Sequence, residues 1–142
     1  MTLAELSKYH NIKIELNDIR NRIKEIESTL IKSTTYSDTK TISVSNNSSP
    51  VEETVIQLNK LKTKYEDKVY DLINEQLKIE NYLDSISDSE IREIIRYRFI
   101  DCMTWNEIAV QLNYSRTNPY IKLRNYLRIE KMNAIKESTK EL

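Results

Sequence analysis

The chain has 142 residues, enough for one compact domain or for a small domain with an extension. It contains no glycine and only two prolines. Because tight turns of types I′, II and II′ usually need glycine, this composition argues against an all-β chain and against a Rossmann-like one. Charged residues make up 31% of the chain, and the abundance of Ile, Leu, Lys and Glu favours helices with much of their surface in water. We therefore expect an all-α protein.

The cysteine content and the lack of long apolar segments predict a cytoplasmic protein. The single cysteine, Cys102, excludes an internal disulfide and fits a reducing compartment, where a small buried or half-buried thiol is typical. The first residues show no basic region followed by an apolar run, so no signal peptide is expected. No apolar stretch approaches the ~20 residues that cross a bilayer. We expect no membrane contact.

The net charge of zero hides an uneven distribution of charged residues. Residues 1–113 carry 15 Lys and Arg against 19 Asp and Glu. Residues 114–136 carry six basic residues against one acidic residue, Glu130. A concentrated basic stretch matters more for contact with nucleic acid than the charge of the whole chain. Either a solvated basic helix or a nucleic-acid-binding helix would carry this pattern.

Two long amphipathic helices are predicted before residue 87. In the first, which ends near Lys32, apolar residues alternate spacings of four and three, as in a coiled-coil seam: Ile12, Leu16, Ile19, Ile23, Ile26 and Leu30. Ten of the eighteen residues in 33–50 are Ser or Thr, which predicts a flexible polar loop.

The second long helix is expected to start just after Pro50. Its apolar stripe is looser, with Lys62 and Gln76 at positions that an ideal heptad would fill with apolar residues. The loop is long enough for the two helices to fold back antiparallel. Residues 1–86 are thus predicted to form a helical hairpin, a coiled-coil-like arm through which the chain forms a homo-oligomer. Whether the arm pairs within or between chains is left open by the pattern.

Residues 87–142 are predicted to form a small helix-turn-helix domain. Ser87 with Glu90, and Thr104 with Glu107, have the spacing of capping boxes that open two short helices. A turn follows the second of these, and the basic stretch comes next. The first helix of such a pair braces the second, which lies in the major groove of DNA, and Ala109 occupies the place where the two helices approach closely. The core is expected to contain Ile95, Phe99, Trp105, Ile108, Leu112, Leu123 and Leu127.

The string "TWNEIAVQLNYSR" (104–116), preceded by "IRYRFIDCM" (95–103), resembles the helix-turn-helix of region 4 in sigma-70-type factors. The match spans about forty residues, from Ile91 to Lys131, and is closer still to small phage regulators built on the same module. The layout of helical arm, polar loop and C-terminal module looks like the RinA and ArpU types of phage transcriptional regulator. The resemblance implies a phage or prophage protein that acts on late-gene transcription.

The second helix of the pair can start at either of two positions, because Pro119 lies near its beginning. Ser115 could cap the helix, with Arg116, Thr117 and Asn118 in its first turn. Alternatively, Asn118 caps it and Pro119 is its first residue, since proline disfavours helical geometry in the residue before it. In that case Ser115 to Asn118 form an extended turn. The later start is preferred.

The residues near the groove are similar in both readings. Arg and Lys side chains read guanine edges or bind phosphate, and an Asn side chain can pair with adenine. Tyr114 is either a phosphate contact through its hydroxyl or a turn residue. The candidate DNA-binding residues are Tyr114, Ser115, Arg116, Thr117, Asn118, Tyr120, Lys122, Arg124 and Arg128.

Catalysis has little support in the sequence. The one histidine, His10, has no cysteine or paired carboxylates at metal-ligand spacing, which is typical of an exposed structural residue. Without glycine there is no phosphate-cradling loop. We expect no enzyme activity, no catalytic residues, no metal and no cofactor.

The predicted function is that of a transcriptional regulator that binds double-stranded DNA. Two alternatives share the architecture. One is a small terminase subunit for DNA packaging, and the other is a sigma-like module whose partner is RNA polymerase.

Overall fold

The computed structural model describes residues 1–36, 50–114 and 118–142, with the side chains of 33–36 left aside. Every regular element in these ranges is a helix, which confirms the all-α prediction. The elements are α1 (Leu3–Tyr36), α2 (Pro50–Asp84), α3 (Ser89–Ile95), α4 (Trp105–Gln111) and α5 (Asn118–Lys140). A π-helical turn, Arg96–Ile100, continues α3. The first helix extends four residues beyond its predicted end at Lys32, and most of the predicted polar loop lies outside the described residues.

Contacts divide the chain into two compact units. One is Ile12–Ile73, and the other combines Met1–Asn11 with Asn74–Leu142. This division does not coincide with the predicted boundary between residues 86 and 87. The physical reason is that the first turns of α1 and the last turns of α2 bury apolar side chains in the same unit as the short helices; these include Leu6, Tyr9, Ile79 and Leu83.

The unit Ile12–Ile73 is the antiparallel helical hairpin that the sequence predicts. Leu16 and Ile19 of α1 and Leu58 of α2 are buried. Lys62 forms an ion pair with Glu27 at 3.2 Å, and Lys68 hydrogen-bonds to Glu15. Because the later residue of α2 meets the earlier residue of α1, the two helices run in opposite directions. The polar seam residue Lys62 therefore has an ion-pair partner within the chain.

The other unit has a core of its own, built almost entirely from aliphatic side chains. Ile91, Ile94 and Ile95 of α3 are buried together with Ile108 of α4 and Leu123 of α5. Four of the seven predicted core residues are buried, and Trp105, Leu112 and Leu127 are half-buried. In the part of the chain that the structure describes, no helix is long and apolar enough to cross a membrane.

One of the two predicted capping boxes is wrong. The N-cap of α3 is Asp88 instead of Ser87, and its carboxylate accepts hydrogen bonds from the backbone N–H groups of Glu90 at 3.0 Å and Ile91 at 3.5 Å. Asp is as good an N-cap as Ser, so two neighbouring candidates compete in the sequence Ser-Asp-Ser. The Glu90 side chain does not reach back to the cap, because it is ion-paired with Lys122 of α5.

The capping box of α4 is confirmed. The Thr104 hydroxyl accepts from the Glu107 N–H at 3.2 Å, and the Glu107 carboxylate accepts from the Thr104 N–H at 2.7 Å. The hydrogen bond from the Thr104 backbone N–H to the carboxylate, and then a hydrogen bond between the Thr104 and Glu107 side chains, lower the pKa of Glu107 below its usual value.

This lowered pKa predicts a pH dependence of stability. A carboxyl whose pKa is lower in the folded state stabilises the protein above the unfolded-state pKa, and this stabilisation is lost as pH falls through the folded-state value. We expect Glu107→Gln to be less stable than wild type at pH 7, and the difference in unfolding free energy to shrink as pH falls below the ordinary pKa of 4.5 and to vanish below the lower folded-state pKa. Urea titrations of the wild type and of Glu107→Gln at pH values from 7 to 3 measure this difference in unfolding free energy. A difference that stays constant over this range would contradict the assignment.

Candidate nucleic-acid interface

Helices α4 and α5 pack against each other through small and apolar side chains. Ala109 of α4 is buried, as are Ile108 beside it and Leu123 of α5. The methyl side chain of Ala109 permits the close approach of backbones that a bracing helix requires. The structure thus contains two helices joined by a short connection, with the second helix long and basic.

The end of α4 is built without glycine. Asn113 adopts a left-handed conformation with φ of 58°, which asparagine tolerates better than most residues. The Tyr114 N–H donates to the Ala109 carbonyl at 2.7 Å, and the Asn113 N–H donates to the Val110 carbonyl at 3.3 Å. This pair of bonds is a Schellman motif, which stops the helix and turns the chain toward α5. Tyr114 is half-buried at this turn.

The predicted residues Ser115, Arg116 and Thr117 lie outside the described residues. The following helix α5 is described from Asn118, which is exposed, and its second residue Pro119 is buried. Because residues 115–117 lie outside the described part of the chain, the choice between the two helix starts stays a prediction.

Tyr120 is held in an aromatic cluster. Its ring meets that of Trp105 edge to face, with centroids 5.2 Å apart and planes at 70°. On Trp105 also lies the guanidinium of Arg98, at 4.9 Å from the ring centroid, and Arg98 donates to the Met103 carbonyl at 2.9 Å. Only 38% of Tyr120 is exposed, so much of this predicted DNA contact serves to join α4 to α5. The sequence suggested no role for Arg98, because nothing in the string marks a cation that will stack on a tryptophan.

Lys122 is committed to acidic partners within the chain. Its ammonium forms an ion pair with Glu90 and lies 3.9 Å from the Asp88 carboxylate. Both carboxylates belong to the N-terminal end of α3, so Lys122 ties α5 to α3. A DNA phosphate would have to compete with these two carboxylates for Lys122.

Arg124 and Arg128 are exposed on α5, and neither is ion-paired among the described residues. Together with Lys131 they line a groove of about 910 Å³ between α5 and the first turn of α1. The floor of the groove includes Leu3 and Leu127. These guanidinium groups are the predicted contacts that the structure leaves available to an anion.

Two acidic residues, Glu5 and Glu130, also line this groove. Glu130 accepts a hydrogen bond from the Tyr82 hydroxyl at 2.6 Å and lies 3.8 Å from the Met1 amino group. Burial, and then the hydrogen bond to Glu130, raises the pKa of Tyr82 well above its ordinary value. Tyr82 therefore stays a neutral hydrogen-bond donor to Glu130, whose side chain is 37% exposed.

His10 is half-buried, where the sequence predicts an exposed histidine. Its Nδ1 lies 2.9 Å from Sγ of Cys102, whose φ of 58° is unusual for a residue other than glycine. The first turns of α1 pack in the C-terminal unit, which explains the burial. No group of three or more His, Cys, Asp or Glu side chains placed to hold a metal occurs within residues 1–36, 50–114 and 118–142.

A protein-family profile described as "Protein of unknown function (DUF1492)" matches residues 44–133. The chain belongs to the DUF1492 family. The DUF1492 match covers α2, α3, α4 and the first two thirds of α5, and leaves out α1. No curated protein and no solved structure matched the chain.

Proposed function

We propose that this protein is a sequence-specific DNA-binding transcriptional regulator of phage or prophage genes, which reads the major groove with α5. The observation that supports this most is the pairing of a capped, short α4 with the long basic α5 across Ala109, with Arg124 and Arg128 exposed. This is the arrangement by which helix-turn-helix proteins brace a recognition helix. The resemblance of residues 95–116 to sigma region 4 and to RinA- and ArpU-type regulators supports the same proposal.

The two arginines are placed to bind backbone phosphates. Phosphate contacts fix the position of a protein on the duplex, whereas base edges carry the sequence information. Asn118 and the predicted contacts Ser115, Arg116 and Thr117 precede them in the chain, nearer the start of the helix that enters the groove. The proposal assigns base reading to this segment and phosphate binding to Arg124 and Arg128.

The ion pairs of Lys122 lead to a prediction of increased affinity. Asp88→Asn with Glu90→Gln removes both carboxylates from Lys122 and keeps a competent N-cap at position 88. We expect the variant to bind a random-sequence duplex about tenfold more tightly, since one cation becomes available and two negative charges are lost. Fluorescence anisotropy with a labelled duplex measures the change.

The matched control for this pair is Glu52→Gln with Glu53→Gln, which removes the same charge from the start of α2. If the control raised affinity as much as the α3 variant, the effect would be one of net charge, and the specific role of Lys122 would be wrong.

The two alternative functions, a small terminase subunit and a sigma-like module, predict different results for the purified protein. A small terminase subunit would assemble into a large ring, which light scattering detects. A sigma-like module would retain core RNA polymerase in a pulldown and would bind free duplex only weakly. A monomer or dimer that protects a specific promoter segment from nuclease supports the regulator.

A further inference from the structure

We propose that the outer face of α2 in the unit Ile12–Ile73 binds the same face of a second copy of this chain, with the two α2 helices antiparallel. The proposal names the surface for the homo-oligomer that the proposed function includes, and in that respect it rests on that function. It does not require that the C-terminal helices bind DNA. Its evidence is an exposed apolar stripe, a depression in that stripe and a separation of charge along it.

The stripe consists of apolar residues that α1 does not cover. Ile56 is 53% exposed, Ile73 is 50% exposed, and Tyr70 is 71% exposed. With Asn59, Thr63 and Glu66 between them, these residues follow one another at the alternating spacings of three and four that mark a helix-packing seam. Three exposed large apolar side chains on one face of a helix indicate a face that packs against something.

This stripe is separate from the seam that holds the hairpin together. The seam toward α1 contains Leu58, which is buried, and Leu61 and Tyr65, which are half-buried. At 100° per residue, the stripe lies more than a quarter of a turn away from that seam. The helix α2 thus has two apolar faces, of which one is used within the chain.

A shallow depression lies at one end of the stripe. It has a volume of about 380 Å³ and is lined by Ile56, Asn59, Lys60 and Thr63. Tyr70, the most exposed aromatic side chain on α2, lies at the other end. When two α2 helices pair antiparallel, one register places Tyr70 of one copy over the depression of the other copy. The same register places Ile56 of one copy beside Ile73 of the other. A two-fold axis near the middle of the stripe makes both contacts twice, as an isologous interface requires.

The charges along α2 favour the antiparallel arrangement. Lys62 and Lys68 are paired with Glu27 and Glu15 of α1, so they do not face outward as free charges. Beside the stripe, two lysines lie toward its start and two aspartates toward its end, while Glu66 lies on the stripe itself and Glu52 and Glu53 precede it.

The positive end carries Lys60 and Lys64, and the negative end carries Asp67 and Asp71. All four are exposed, and none has an ion-pair partner among the described residues. Antiparallel pairing sets the two lysines of one copy beside the two aspartates of the other. Parallel pairing in register would set like charges together, which is destabilising.

The experiment is the molar mass of the full chain, measured by light scattering without DNA. We expect the wild-type chain to be a dimer. Lys60→Glu with Lys64→Glu should be a monomer, because four carboxylates then face one another across each half of the interface. Asp67→Lys with Asp71→Lys should be a monomer for the converse reason.

Charge complementation distinguishes a broken interface from a misfolded variant. A mixture of the two monomeric variants should form a heterodimer, since glutamates of one then face lysines of the other in both halves. A chain with all four substitutions should form a homodimer again. The matched control, Lys24→Glu with Lys32→Glu on α1, changes the charge equally and should stay dimeric.

Two results would overturn the proposal. One is a wild-type chain that is monomeric at tens of micromolar. The other is a pair of monomeric variants that stay monomeric when mixed while both retain wild-type helicity by circular dichroism. Because DNA is absent from the measurement, either result leaves the proposed DNA binding intact, and loss of DNA binding in another variant leaves the dimer intact.

Discussion

Arg124→Ala with Arg128→Ala should weaken binding to a random-sequence duplex by at least about 100-fold near physiological salt, because two hydrogen bonds to charged groups contribute about 1.5–3 kcal/mol each. Both guanidinium groups are exposed and free of ion pairs in the described part of the chain, so a phosphate displaces no internal partner. The dependence of log K on log salt should become shallower by about 2, one counterion for each phosphate contact that is lost. Anisotropy titrations at several salt concentrations give both quantities.

The control is Arg20→Ala with Arg22→Ala, two exposed arginines on α1 that carry the same charge. This variant should bind as wild type apart from a small effect of net charge. Equal losses in both variants, or an unchanged salt slope in the α5 variant, would contradict the placement of the phosphate-binding surface on α5.

Leu123→Ala should destabilise the C-terminal unit by about 2–5 kcal/mol, the range for deleting a buried leucine side chain. Leu123 is fully buried with Ile108 of α4 and the isoleucines of α3, so the deletion leaves a cavity where three helices meet. DNA binding should fall in proportion to the unfolded fraction. Urea titration followed by tryptophan fluorescence reports this unit, since Trp105 is the single tryptophan of the chain.

Ile121→Ala is the control for this prediction, since Ile121 lies two residues earlier on α5 and is 46% exposed. Its cost should stay below about 1 kcal/mol. Comparable losses in the two variants would mean that α5 does not pack on α3 and α4 as described.

The elements of this fold follow from patterns that are local in sequence. The alternating apolar spacing from Ile12 to Leu30 predicts α1 and its antiparallel partner, because a narrow apolar stripe needs a second helix to cover it. Thr104 and Glu107 define the start of α4, since a capping box depends on two residues three apart. Absence of glycine correctly favoured helices, and Asn113 takes the left-handed position that glycine usually occupies.

The unpredicted features depend on contacts between residues far apart in the chain. The pairing of Lys122 with Glu90 and the stacking of Arg98 on Trp105 arise only when α3, α4 and α5 come together. The same holds for His10, which is half-buried because the first turns of α1 join the C-terminal unit. Consequently the basic composition of residues 114–136 indicates a basic surface. Only the structure shows which of its side chains is ion-paired within the chain, as Lys122 is, and which are exposed without an ion pair among the described residues, as Arg124 and Arg128 are.

The most direct test of the account is the salt dependence of binding between the intact protein and a random-sequence duplex. The account predicts measurable binding at low salt, with log K falling linearly against log salt with a slope of several units, as expected for a helix that neutralises several phosphates. Selection from a random pool should then enrich one sequence. Absence of duplex binding at low ionic strength by a folded, helical preparation would contradict the central claim.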